Sequence, residues 1–518
     1  MIKTLRKALA ATLMAVSLAG CDSFFDLRPS NEMVLDEFWK SEDDVLSVTG
    51  ACYRSMQESD FLKRVIVWGE FRSDNMLQGP SNGDGNLRYI ANLNLLPSND
   101  YSRWSNFYNV INLCNTVEYY APGVRDVDPN FTQAQLNAYL AEVKGIRAYC
   151  YFTLVRAFRD VPFTTVPTID DTEEFELAQS DPDEVIDWLI ADLKAIEPFA
   201  AATFSNTTYT KGRITQAAIR ALIADMALWR GRYDDTIEYC DRILRDGNNV
   251  ITMETAMNYS RSLFVTGMSQ ESIFELSYST VNYFNYALAD FYGDISQGFP
   301  QQIIPYDFKS GNRGLFADTD LRERTSYFTS SGSGSAIRKY VSYLAGTDLT
   351  ASSVTNSSYH FSDPYACNWI VYRLPEIYLM KAEALVESGG DLQEAFRLAC
   401  VSYDRANPEA GAGSLSFADY STSEAVLNFI FDERQREFLY EGKRYFDILR
   451  RISHHRDQFR NLVDSYLMGK YDNLDQSTVS SKLSSYDALY MPISSTEMRA
   501  NLLLVQNPFY RQSADISH

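Results

Sequence analysis

The chain has 518 residues, 45% of them hydrophobic and 14% aromatic, and a formal charge of −21. That composition supplies a large core and argues against disorder, while the negative field argues against nucleic acid or flat adsorption to anionic lipid. Its 34 Tyr and 30 Phe exceed what a core needs, so many rings are expected partly exposed.

Residues 1–20 read as a targeting segment. Lys3, Arg6 and Lys7 form a positive start, and Ala8 to Ala19 is apolar but short for a membrane span. The run ends Leu18-Ala19-Gly20-Cys21, which resembles the bacterial lipoprotein signal, with the Cys21 thiol as the lipid acceptor. Losing the three basic residues from 47, against 68 acidic ones, makes the mature charge −24. Asp22 follows, a residue that retains lipoproteins at the inner membrane in enterobacteria, by a rule not shared by all bacteria. No later stretch approaches a transmembrane length. Cys52, Cys114, Cys150, Cys240, Cys367 and Cys400 lack CxxC spacing and mostly sit on apolar helical faces, so they read as buried thiols, with a disulfide still open.

Asp43 to Tyr53 begins the first helix. Trp68 to Asn99 is polar and Gly/Asn-rich and reads as a loop region, after which Trp104 to Tyr120 resumes helical period. Tyr139–Phe158 and Asp183–Ile196 form a loose helix pair, the second opened by Asp181 as cap and Pro182 behind it. The acidic run Asp170 to Glu176 reads as a solvated loop. Ile214 to Gly247 is the clearest pair. Ala217, Ala218, Ala221 and Ala224 allow close packing, Gly231 turns the chain, and Asp234 or Asp235 can cap the second helix. Tyr278 to Gly346 lacks sustained period and is the largest insert. Trp369 to Asn407 is another pair, Ala425 to Arg451 a long helix, and Tyr490 to Tyr510 coil with a short helix. Such pairs cannot bury their faces alone. The expected fold is mainly α: degenerate tetratricopeptide-type helix pairs as a scaffold, carrying long loop-rich inserts.

Glu433, Glu437 and Glu441 fall four apart on one helical face, so they would repel one another unless answered by arginines nearby. An ion-pair network locking the helix to the repeats is the favoured reading over a pair of glycosidase carboxylates. No HExxH, GxSxG, GxGxxG, Walker or EF-hand spacing occurs, and the adjacent His454 and His455 project apart on a helix. The inserts hold the groups that grip sugars, which are flat rings for C–H faces and planar polar groups for hydroxyls. Trp68 to Trp104 supplies Arg72, Asp74, Asn75, Asn82, Arg88, Tyr89 and Tyr101. Tyr278 to Tyr306 supplies Tyr283, Phe284, Tyr286, Phe291, Tyr292 and Gln301. Trp104 reads as core.

Several stretches together resemble the SusD/RagB nutrient-binding outer-membrane lipoproteins of Bacteroidetes. They are Cys21 to Met33, Lys144 to Pro162, Asp320-Leu321-Arg322, Arg338-Lys339-Tyr340, Tyr372 to Ala384, Asp432 to Asp447, Tyr490 to Ile493 and Gln506 to Pro508. Arg159 stands where that pattern usually has Gly. The resemblance implies a SusD-like body in which 21–213 and 214–518 form one structural unit after a signal peptide, 1–20. It implies a lipid tether at Cys21, exposure at the outer surface, and glycan handed without chemistry to a SusC-like TonB-dependent β-barrel transporter. It places the ligand on the two inserts without fixing any individual role; from their sugar-gripping chemistry, Arg72, Asp74, Asn75, Tyr89, Tyr101, Tyr283, Tyr286 and Tyr292 are the candidate contacts, and no catalytic residue, metal or cofactor is expected. The alternatives are a RagB-like peptide ligand, a surface glycoside hydrolase, or a scaffold that assembles envelope proteins.

Overall fold

The computed structural model describes residues 38–80, 83–169, 176–247, 251–308, 314–328, 335–344 and 359–511. Cys21 with the leader, Asn82, and most of the run Asp170–Glu176 lie outside the described residues. Helix α1 (Glu42–Met56) opens on a Ser41/Asp44 capping box and is followed by α2 (Ser59–Ile66). A π-helical turn, Val67–Phe71, leads to the short strand β1 (Met76–Gln78). The longest helices follow, α3 (Ser105–Val127) and α4 (Gln133–Phe158), and both pack on α1. Helix α4 is buried over most of its circumference, which explains its dense run of apolar and aromatic residues. Helix α5 (Pro182–Ile196) starts where its spacing predicts, with the Asp181 carboxylate accepting from the Asp183 and Glu184 amides at 2.9 and 3.2 Å.

The central hairpin is α6 (Gln216–Trp229) and α7 (Tyr233–Leu244), with Ala217, Ala218, Ala221 and Ala224 buried in the contact. Strands β2 (Ser272–Leu276), β3 (Ile303–Pro305) and β4 (Trp369–Arg373) come before α8 (Leu374–Glu387), α9 (Leu392–Ala406), α10 (Ser423–Phe438) and α11 (Arg444–His454). Helix α8 packs on α7 as well as on α9, so the two pairs stack, and α10 closes over α8 and α9. One continuous core runs through the chain from Trp39 to Tyr510, and a smaller one lies under α8, α9 and α10. No helix among the described residues is long and apolar enough to cross a membrane. The six cysteines after Cys21 are buried free thiols.

Three expectations change. Neither Asp234 nor Asp235 caps α7, which begins one residue earlier; both lie in its first turn, where the helix dipole favours them, and Asp235 pairs with Lys194 at 2.6 Å. Trp369 to Arg373 is a strand rather than helix, antiparallel to β2; its five side chains are all buried and β-branched or aromatic residues dominate, a pattern with no helical stripe. The long helix over 425–451 is broken between α10 and α11. Tyr440 and Gly442 there have φ of 68° and 76°, and the π-helical turn crosses so closely that a side chain on Gly69 would stand 1.9 Å from the Gly442 carbonyl oxygen. The two inserts meet through β1 and β3, paired antiparallel with Leu77 opposite Ile304.

Candidate functional site

Helix α10 bears the carboxylates that could have been catalytic, and the structure buries them. Glu437 is fully enclosed and receives Arg322 at 2.9 Å together with close contacts from Arg373 and Arg405. Glu441 takes Arg373 and Lys339, each at 2.8 Å, and Glu433 takes Arg322 at 2.7 Å and Arg436 at 2.9 Å. Beyond the break, Asp447 joins Arg434 and Arg450, while Glu383 joins Arg450. Burial alone would raise these carboxyl pKa values, yet the surrounding cations hold Glu437 well below its ordinary value and Asp447 at about 2. This is the ion-pair network the spacing suggests, closed to solvent and without room for a substrate.

Five of the eight candidate contacts also belong to the interior. Arg72 donates to the Leu489 carbonyl at 2.6 Å and lies over the Tyr445 ring. Asp74 holds Arg444 at 2.9 Å. Asn75 bridges Glu70 and Gln435, at 2.6 and 2.7 Å. The hydroxyl of Tyr101 donates to Asp84 at 2.7 Å, and that of Tyr292 donates to the Tyr440 carbonyl at 3.0 Å. All five are buried, so none presents a face to a ligand, and Gln301 and Phe291 are buried with them. The first insert is therefore less a loop than a clasp. Its polar groups close over the break after α10, where the Glu70 carboxylate accepts from the Tyr440 and Lys443 amides.

Tyr89, Tyr283 and Tyr286 are the candidates left at the surface, at 51%, 43% and 50% exposure. Tyr286 belongs to a ring cluster whose hub sequence reasoning missed, while Tyr283 lies beside it under Arg54. Tyr365 stands 5.4 Å from Tyr286, 5.9 Å from Phe284 and 5.7 Å from Phe299 between ring centroids. The rings meet at 43° to 89°, so the patch is corrugated rather than flat. No ring contact joins Tyr89 to this group among the described residues.

Local chemistry builds the patch. Asn285, itself buried, accepts from the Leu288 amide at 3.1 Å and so caps the short helix Tyr286–Phe291. Its side-chain amide donates to the Cys367 carbonyl at 2.9 Å, and its backbone N–H donates to the Tyr365 carbonyl at 2.8 Å. One asparagine thus clips two segments some eighty positions apart. Asp363 in turn accepts from the Tyr365 amide at 3.0 Å and caps the turn Pro364–Ala366. The Asp363-Pro364-Tyr365 triplet is a turn signal with a ring at its tip, which could have marked Tyr365 from sequence. A hollow beside Phe299, lined by Asp294, Gln297, Phe361 and Ser362, extends the patch. Among the described residues no group of three or more His, Cys, Asp or Glu is arranged to hold a metal ion.

A cleft of about 370 Å³ lies elsewhere, between α3, residues 162–168 and the tail. Three of its amides are already committed, Asn112 and Asn115 to backbone carbonyls of 164–168 and Asn501 to that of Leu177, while Asn109 is exposed. The ring patch is the better candidate because Phe284 and Tyr286 present exposed rings there.

Residues 271–510 match the model of the SusD family. Over that stretch the chain is similar to the SusD family. SusD-like protein P38 of Formosa agariphila is 23% identical over 462 residues, covering 84% of this chain and 88% of the relative. SusD-like protein P2 of the same organism is 24% identical over 476 residues, covering 85% and 89%. The SusD fold is equally plain in space. A SusD homolog from Bacteroides thetaiotaomicron superposes with a TM-score of 0.72 at 20% identity, over 92% of this chain and all of that one. Surface glycan-binding protein A from Bacteroides uniformis gives 0.68 at 21% identity, over 90% of this chain and all of that one.

Proposed function

We propose that this SusD-like chain is a surface glycan-binding lipoprotein, tethered by lipid at Cys21, which captures oligo- or polysaccharide and passes it to a SusC-like TonB-dependent β-barrel. The observation that carries the reading is the surface cluster of exposed Phe284 and Tyr286 with half-buried Tyr365 and Phe299, held in place by buried Asn285. Pyranose C–H faces stack on such rings, and the neighbouring amides and carboxylates can take the hydroxyl rim. The carboxylates of α10 serve the core, so binding proceeds without bond cleavage. The similarity to a surface glycan-binding protein of Bacteroides uniformis supports this reading.

The test is calorimetric titration of parent, Tyr286→Ala and Tyr365→Ala with the glycan that an array selects. Each ring removed should cost about 1–3 kcal/mol by analogy with base stacking, or roughly 5- to 150-fold in affinity. Thermal melting should barely change for Tyr286→Ala, whose ring is half exposed. Unaltered affinity in both variants would place the ligand elsewhere, and binding of peptides in place of sugars would favour the RagB-like alternative.

A further inference from the structure

Resting on the glycan-binding reading, we infer that the ring patch selects uncharged glycans and rejects those bearing uronate or sulfate groups. The inference comes from the state of the charges around the rings. Arg54 lies over Tyr283, 4.6 Å from its centroid, and pairs with Glu58 at 3.1 Å. Lys63, over the Phe291 ring at the base of the short helix, pairs with Asp290 at 2.6 Å. Arg338 lies over Phe361 at 5.2 Å, is fully buried, and pairs with Asp294 at 3.2 Å. Each of these cations already answers a carboxylate. Arg261 stacks on Tyr343, which is opposite His360 in the hairpin of Ser342–Leu344 with Tyr359–Phe361. Side chains alternate along a strand, so Arg261 serves the face opposite Phe361 and the ring patch.

Among the described residues, the groups left open beside the rings are neutral or negative. Asn282 and Gln297 are exposed amides, one beside Tyr283 and one lining the hollow with Phe299. Asp363 is an exposed carboxylate at the foot of Tyr365. Anionic sugars are gripped by arginine or lysine free to form a charge-assisted pair. Here a uronate could recruit Lys63 or Arg338 only by displacing Asp290 or Asp294, exchanging one carboxylate for another and leaving the first unanswered. The chain's own charge of −21 adds a field of the wrong sign. Neutral hydroxyls meet none of these penalties.

The experiment uses the full mature chain and a panel of neutral oligosaccharides of glucose, xylose, mannose and galactose, alongside oligogalacturonate and a sulfated galactan. The neutral sugar that binds is also prepared with its primary hydroxyls oxidised to carboxylates, or, where it has none, with a glucuronate branch. The neutral form should bind about tenfold or more tightly than its charged counterpart, and its affinity should stay flat between roughly 0.05 and 0.5 M salt. Asp363→Asn, which keeps the turn's cap, should raise affinity for the charged form relative to the neutral one and so narrow the gap between them. Equal or tighter binding of a charged glycan, abolished by Tyr286→Ala and weakened by salt, would overturn the charge inference while leaving a glycan-binding patch. Failure of every sugar, neutral and charged, to bind in a Tyr286-dependent way would overturn the glycan reading, and this inference with it.

Discussion

Arg159 shows what a single side chain can hide. The SusD pattern usually has Gly at this position, and the backbone explains why. Arg159 ends α4 with φ 71° and ψ −81°, and the Asp160 N–H reaches back to the Phe158 carbonyl at 3.1 Å. That is a γ-turn of the strained hand, which costs a side-chain-bearing residue roughly 1–3 kcal/mol. The guanidinium offsets part of it, pairing with Asp160 at 2.7 Å and Asp487 at 2.5 Å. All three side chains are about one-third exposed, so each pair contributes at most about 1 kcal/mol. Arg159→Gly should therefore stay within about 1 kcal/mol of the parent, whereas Arg159→Ala, keeping the strain and losing both pairs, should fall by about 1–2 kcal/mol. Urea unfolding distinguishes them, and equal midpoints for the Gly and Ala variants would show that the turn stores no strain. The departure from the pattern was legible in the sequence. The compensating partner was not, because Asp487 lies more than three hundred positions away.

At the scale of elements, α10 couples its carboxylates to arginines from three other segments, and the coupling predicts how the fold answers acid. Asp447 has its folded pKa lowered from 3.8 to about 2 by Arg434 and Arg450, acting against burial, and Glu437, Glu441 and Glu383 are lowered likewise by their cations. A lowered carboxylate stabilises the fold fully above its unfolded value and loses that contribution as pH falls through the folded one. For Asp447 this is about 2 kcal/mol, surrendered between pH 3.8 and about 2. Glu70 runs the other way: burial raises it to about 7, so it weakens the fold above pH 4.5 and is relieved as pH falls from 7. Burial holds Lys470 down to about 7, so its cost grows from pH 10.5 to 7 and is nearly complete below. Thermal melting followed from pH 8 to 2 should hold or rise slightly to about pH 5, then collapse below about 4, and Asp447→Asn should flatten the collapse. A melting temperature falling steadily from pH 7 would contradict this.

The helix pairs, the Asp181 cap and the charged ladder of α10 were readable because periodicity and capping are local rules. The strand at Trp369–Arg373 and the break at Gly442 were not, since each is set by a distant neighbour: β2 in one case, and the π-helical turn at Gly69 in the other. The candidate site divides in the same way. Exposed Tyr283 and Tyr286 could be named from the aromatic richness of their insert, while Tyr365 and Asn285 required the contact between two remote segments. Arg72, Asp74, Asn75, Tyr101 and Tyr292 had the right chemistry for sugar but were spent on the interior, which composition does not reveal.

For the whole molecule, the proposed anchor and partner make one experiment. Cys21→Ala should abolish lipid labelling of the expressed chain, because the thiol is the proposed lipid acceptor. In a strain lacking the neighbouring barrel, the variant should move from the membrane pellet to the soluble fraction, while the parent remains in the pellet. With the barrel present, the parent should co-purify with it from mild detergent. Retention of the variant in the pellet of the barrel-less strain would refute the tether, and recovery of the parent as a lone monomer under every mild condition would refute the docked transporter.

Arg322, Lys339, Arg373, Glu437 and Glu441 all come from stretches that resemble the SusD pattern, and all end inside one sealed network. Phe284, Tyr286, Phe299 and Tyr365 lie outside those stretches, on the surface. On the proposed reading, resemblance to the family lies in the framework and the choice of sugar in the rim. Two chains could share every buried landmark and still forage on unrelated sugars, and a lineage could change its food by rewriting a few surface rings without disturbing a single internal charge.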